Sequence, residues 1–152
     1  MKTYSLRNTA LIVNGVEIVG YDEGDDVIKC ERSKDSAQTK VGADGEMTAS
    51  FTSDQSGTVM IRLAQTSDSN AFLQALISAA EQGRFIPITC LFKDTVSNET
   101  FGGTRGLILR PANRSRGENA TSMEWMIKLE RLELTAPEFA QNVVEQVREL
   151  FN

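Results

Sequence analysis

Apolar residues in this chain recur mostly at every second position, the period of a sheet with one buried face. Leu11-Ile12-Val13 and Val16-Glu17-Ile18-Val19 flank Asn14-Gly15. That dipeptide accepts positive φ at both central positions of a type I′ turn, so the pattern predicts a β-hairpin. Gly20 and the acidic cluster Asp22-Glu23-Gly24-Asp25-Asp26 then break the sheet. Residues 27–32 read as a strand, Lys34-Asp35-Ser36 as a polar turn and residues 38–41 as an antiparallel return. This predicts an extended hairpin arm over about residues 27–41, too poor in apolar side chains near its tip for a compact core to hold. Gly42-Ala43-Asp44-Gly45 is a further turn. Met47, Ala49 and Phe51, then Val59, Ile61 and Leu63, alternate as strands with one buried face, joined through Asp54-Gln55-Ser56-Gly57 as a second hairpin.

Helical spacing follows. Ser67 stands where a cap belongs, and Phe72, Leu73, Leu76, Ile77 and Ala80 share one stripe. Gly83 suits the residue that closes such a helix. Ile86, Ile88, Cys90 and Phe92 return to an inward strand face, with Pro87 marking a sheet edge or a strand start. Residues 98–103 read as a turn and 104–110 as the next strand. Residues 111–119 read as a loop bearing Arg114, Arg116 and Glu118, without an apolar anchor. Met123, Trp125, Ile127 and Leu129 alternate through a further strand. Thr135 and Glu138 have capping-box spacing for a C-terminal helix with Phe139, Val143, Val147 and Leu150 on one face.

The sum is about eight short strands with one central and one C-terminal helix. The expected fold is mainly β, a β-sandwich or small β-barrel with the helices packed on an open side. A length of 152 residues fits a single domain spanning residues 1–152. With 40% hydrophobic and 24% charged residues, the chain is not globally disordered. A net charge of −5 disfavours a nucleic-acid binder that works by neutralising phosphates, though not a surface past which DNA must slide.

The first apolar run, residues 10–13, is cut by Asn14-Gly15 and makes no signal peptide. No run approaches the roughly 18 apolar residues of a membrane span, so a cytoplasmic protein is expected. Cys30 and Cys90 then read as buried small hydrophobes rather than a disulfide. Two cysteines and no histidine exclude the standard zinc sites, and no Ser, Cys or Thr has a histidine to activate it. Neither a catalytic centre nor a cofactor or metal site is expected.

Two motifs have sharper readings that their spacing does not support. The acidic run at residues 22–26 lacks the ligand spread and closing glutamate of a calcium loop, and reads as a solvated turn. Gly102-Gly103-Thr104-Arg105-Gly106 lacks the lysine and following helix of a phosphate loop; its glycines permit a turn and a close strand approach. The remaining candidates are contacts between copies. Lys34, Arg110, Arg114 and Arg116 are cations on predicted loops that can face Asp22, Glu23, Asp25 and Asp26 of an adjacent copy, with Asp35 beside Lys34 in the arm.

Several segments, taken in order, resemble the tail tube proteins of contractile-tailed bacteriophages over most of the chain. They are Arg7-Asn8-Thr9-Ala10-Leu11-Ile12-Val13-Asn14-Gly15, Gly20-Tyr21-Asp22-Glu23-Gly24-Asp25-Asp26 and Val41-Gly42-Ala43-Asp44-Gly45. Ser56-Gly57-Thr58-Val59, Leu63-Ala64-Gln65-Thr66-Ser67, Ser69-Asn70-Ala71, Gly102-Gly103-Thr104 and Glu124-Trp125 continue the likeness. The resemblance implies a β-sandwich or β-barrel subunit with a flanking helix, assembled as six-membered rings stacked into a tube. It further implies a surrounding contractile sheath, baseplate and tail terminator partners, and DNA passing through the lumen without specific binding. The place of action would be the virion tail, assembled in the host cytoplasm, with no catalytic residues and no membrane. A baseplate or tube-initiator subunit and a ring protein of a bacterial injection system share these features. A β-barrel ligand-binding module or small enzyme is the alternative from another class, and would need convergent polar groups in an apolar pocket.

Overall fold

The computed structural model describes Met1 and residues 3–135. After a short 3-10 turn at Leu6–Asn8 the chain forms β1 (Thr9–Val13), β2 (Val16–Glu17), β3 (Ile28–Arg32), β4 (Ala37–Val41), β5 (Met47–Phe51) and β6 (Gly57–Ala64). The helix α1 (Ser69–Glu81) precedes β7 (Ile88–Asp94), β8 (Thr100–Ile108), β9 (Ser122–Leu129) and β10 (Glu133–Thr135). Every strand pairing is antiparallel. The main sheet runs β2-β1-β7-β8-β9-β6-β3, with β10 pairing the first part of β8, while β4 and β5 pair only with each other. The expected C-terminal helix, with Thr135 and Glu138 as its capping pair, lies outside the described side chains.

Alternation builds the core. In β6, β7 and β9 every second side chain is buried: Val59, Ile61 and Leu63; Ile88, Cys90 and Phe92; Met123, Trp125, Ile127 and Leu129. Leu73 and Ile77 of α1 cover the same core. Ser67 caps the helix, its hydroxyl accepting from Ser69 N–H at 3.2 Å and donating to Val19 O at 2.5 Å. A Schellman turn closes it, with Arg84 N–H donating to Ala79 O and Gly83 N–H to Ala80 O. Buried Asn70 ties helix to sheet: its amide accepts from Trp125 Nε1–H at 3.0 Å and donates to Ala64 O at 2.9 Å.

The sheet curls around this core. Burial first, and the Cys30 thiol second, push the Cys90 thiol up to about 12. The two residues stand four strands apart in the order β3-β6-β9-β8-β7. A flat sheet would hold them roughly 19 Å apart, yet Cys90 belongs to the core cluster and Cys30 packs against that same cluster. Both thiols are free. The Asn14-Gly15 hairpin forms as the sequence predicts, with φ of 49° and 82° and Val13 facing Val16.

Several expectations change. The arm is not a hairpin over residues 27–41: the stretch 28–32 pairs with β6, and β4 returns through β5. The turn at Gly42-Ala43-Asp44-Gly45 closes the arm, where Gly42 N–H donates to Glu46 O at 2.8 Å. Residues 52–56 are therefore the arm's return path rather than a hairpin turn. Met47, Ala49 and Phe51 face solvent, not the core. Ile86 also lies outside the core, because β7 begins one residue after Pro87. β8 starts earlier than its glycines suggest, at Thr100. A Cβ on Gly102 would meet the Cys90 carbonyl and one on Gly103 the Arg131 carbonyl, so close strand approach explains both. The loop after β8 does have an apolar anchor, buried Ala112.

Candidate assembly surfaces

Antiparallel pairing gives the strands two common ends. Arg32 of β3, Gly57 of β6 and Leu129 of β9 lie together at one. The arm leaves from here as a continuation of the β3–β6 ribbon. Ser33 N–H donates to Ser56 O and Thr52 N–H to Ser36 O, both at 3.0 Å, across the short interruption. The base is braced by Arg32, whose Nε and Nη2 donate to Leu132 O at 3.2 and 2.9 Å. Asp54 adds a second brace. It accepts from Ser56 N–H at 3.0 Å and pairs with Lys34 at 3.4 Å, so its carboxyl is lowered to about 2, chiefly by the Ser56 hydrogen bonds.

The arm is amphipathic by register. Ala37 faces Phe51, Thr39 faces Ala49 and Val41 faces Met47, which puts all six on one face. Gln38, Lys40, Thr48 and Ser50 take the other. Val41, Met47 and Phe51 are 63%, 62% and 81% exposed, so the apolar face has no cover within the subunit. An exposed ribbon of two short strands gains little stability alone, and its apolar row marks a contact surface.

The sheet also ends in two unlike edges. Val27 O accepts from Arg62 N–H and Ser33 N–H donates to Ser56 O, so Lys29 and Glu31 fall in the hydrogen-bonded pairs with β6. The backbone groups of Ile28, Cys30 and Arg32 consequently point away from the sheet. β3 does carry charges, on Lys29, Glu31 and Arg32, and the first two point off the outer face rather than along the edge. The opposite edge is β2, two residues long, which leaves the start of β1 uncovered.

The sequence candidates fall into three separate groups. Asp22, Glu23, Asp25 and Asp26 form a loop off the β6 edge, between the Tyr21–Leu63 bridge and β3, at the end of the strands opposite the arm. Arg62 holds it from within the same subunit: Nη2 pairs with Asp26 Oδ1 at 2.8 Å and donates to Glu23 O at 2.6 Å. Arg110, Arg114 and Arg116 lie on the β8–β9 loop, also opposite the arm. Arg114 donates to Gln74 Oε1 of α1 at 3.2 Å and Arg116 to Ser115 O at 2.9 Å. Lys34 and Asp35 sit at the arm base. The apolar row at Val41, Met47 and Phe51 was missed as a surface, although the alternation that marks it is present in the sequence.

Among the described residues no group of three or more His, Cys, Asp or Glu could hold a metal ion, and no helix is long and apolar enough to cross a membrane. An uncovered arm at one end and unlike sheet edges at the sides are the surfaces that the described residues leave open. The chain belongs to the bacteriophage PhiTE tail tube protein family, whose model matches residues 1–135. That family consists of structural proteins of the virion tail. No curated protein matches the chain.

Solved structures share the fold. The sheath/tube terminator of the extracellular contractile injection system PVC, in its extended state, aligns with a TM-score of 0.59 at 10% identity, covering 90% of this chain and 99% of that one. A chain of the PVC sheath-tube complex gives 0.55 at 11% identity, over 88% and 92%. The tube-terminating cap of the anti-feeding prophage gives 0.53 at 7%, over 90% and 93%.

Proposed function

We propose that this protein is the repeating structural subunit of a contractile phage tail tube, assembled as six-membered rings that stack through the arm. The observation that carries this reading is the β4–β5 arm, which extends beyond the sheet with Val41, Met47 and Phe51 of its apolar face open to solvent. The unlike edges suit side-by-side closure, since a repeated head-to-tail contact makes a ring when its rotation closes. Lys34 and Asp35 sit at the arm end, while the acidic loop and the arginines of the β8–β9 loop sit at the other. Stacking therefore brings Lys34 toward Asp22, Glu23 and Asp25 of the next ring, and Asp35 toward its cations. Arg110, Arg114 and Arg116 share an end with the acidic loop and can meet it only between neighbours of one ring.

The tube would lie inside a contractile sheath, joined to baseplate and terminator proteins, with DNA passing through its lumen. A net negative chain suits that passage, because like charge gives no counterion-release attraction.

Light scattering across concentration, with negative-stain images of the same sample, tests the reading. Rings or tubes with a central hole are expected, and a strict monomer at every concentration overturns it. The likeness to a tube terminator and a tube cap favours a second reading, a ring that ends the tube. Such a protein stops at a single ring where a tube subunit grows.

A further inference from the structure

An apolar groove opens between the last turn of α1 and the start of β7. Its cavity of about 180 Å³ is lined by Leu76, Ile77, Ala80, Phe85, Ile86 and Leu107, among others. Phe85, Ile86 and Leu107 are 52%, 60% and 42% exposed, although the core lies directly beneath them. The Schellman turn reverses the chain after α1, and Pro87 stands just before β7, so Phe85 and Ile86 between them are held at the surface. An exposed cluster of this kind marks a contact site.

The arm has what the groove lacks. An apolar cavity of roughly 150 Å³ accepts a benzene ring, so this one has room for a phenyl group, and Phe51 carries the most exposed ring of the arm. Charge agrees. Arg84 precedes Phe85, and Asp35 stands two residues before Ala37, the cross-strand partner of Phe51. Neither Arg84 nor Asp35 has an ion-pair partner among the described residues. The arm does not fill the groove of its own subunit, since Phe51 and Ile86 both stay open to solvent.

We propose that the groove receives the arm of a second copy of this chain, with the Phe51 ring in the cavity and Asp35 facing Arg84. The inference rests on the stacking reading and adds to it the receptor on the next ring. Because the two surfaces differ, the contact is head-to-tail and repeats from copy to copy rather than pairing two copies off.

The test uses the full chain and the variants Phe51→Asp, Phe85→Asp and Ile86→Asp, each checked by circular dichroism melting, with assembly followed by sedimentation velocity. Each variant is expected to fold as the parent does and to weaken stacking roughly ten- to hundredfold, the worth of one buried large side chain. Asp35→Arg and Arg84→Asp should each weaken stacking, and their combination should restore it. If Phe85→Asp and Ile86→Asp both stack like the parent while Phe51→Asp does not, the groove is not the receptor, and stacking through the arm still stands. A parent chain that stays monomeric at all concentrations overturns both readings.

Discussion

Asn70 is the residue on which helix and sheet agree. Its buried amide receives the Trp125 indole N–H and gives hydrogen bonds back to the carbonyls at the end of β6. Asn70→Ala leaves a fully buried indole donor without its partner, and is expected to cost about 1–3 kcal/mol. Urea unfolding should show this as a lower midpoint with an unchanged slope.

The two thiols give a prediction of the opposite kind, invisible at neutral pH. Cys90 is pushed from 9.0 up to about 12, first by burial and then by the Cys30 thiol. A group raised in the folded state contributes its full stability below the unfolded value and loses it as pH climbs toward the folded one. Stability should thus hold up to about pH 9 and fall from 9 toward 12. Cys90→Ala should flatten that slope, which melts taken at stepped pH would reveal. Native Cys90 should also resist alkylation at pH 8 until the chain is unfolded.

Among elements the arm is the most separable. Replacing Val41, Met47 and Phe51 together by Ser touches no buried surface of the subunit, so the melting of the monomer should move by no more than about 0.5 kcal/mol. Assembly, by contrast, should be lost, and tubes of ordinary length in micrographs would contradict the arm's role. Its base has a built-in pH limit. Asp54 is lowered from 3.8 to about 2 by the Ser56 hydrogen bonds and then by Lys34. Its hold on the base is complete above pH 4 and lost as pH falls through 2. The Ser56 amide proton shift should titrate near that lower value, and Asp54→Ala should abolish the step.

The arm also shows where sequence reading stops. Alternation located β6, β7 and β9 because their inward residues fill the subunit's own core. Met47, Ala49 and Phe51 alternate in the same way but face solvent, since the pattern records a two-faced strand without saying what, if anything, covers its apolar face. Two turn signals, Lys34-Asp35-Ser36 and Gly42-Ala43-Asp44-Gly45, stand within a few residues, and local chemistry does not tell which one closes a hairpin. The partner strand decides it, and β6 claims β3 through Ile61, Val59 and Gly57. The candidate charges were individually legible as exposed loop residues. Their sorting into two ends was not, because it follows from strand direction across the whole sheet.

At the scale of the molecule, the proposed stack of rings needs two independent contacts, one end to end and one edge to edge, and the second can be broken without touching the first. Ile28, Cys30 and Arg32 direct their backbone groups away from β6, whereas Lys29 and Glu31 bond to it. Proline removes one N–H and is tolerated in a strand where that N–H faces outward. Cys30→Pro therefore takes a donor from the free edge while leaving the β3–β6 ladder whole, and Glu31→Pro cuts the ladder itself. If β3 pairs with the next subunit, Cys30→Pro should give a folded chain that fails to close rings yet keeps its arm and groove. Glu31→Pro should instead destabilise the monomer, by about the 1–3 kcal/mol of an orphaned backbone partner. Normal rings from Cys30→Pro would mean that side chains, not β3 backbone, join the subunits around the ring. The sheet would then end at each subunit rather than continue through the wall of the tube.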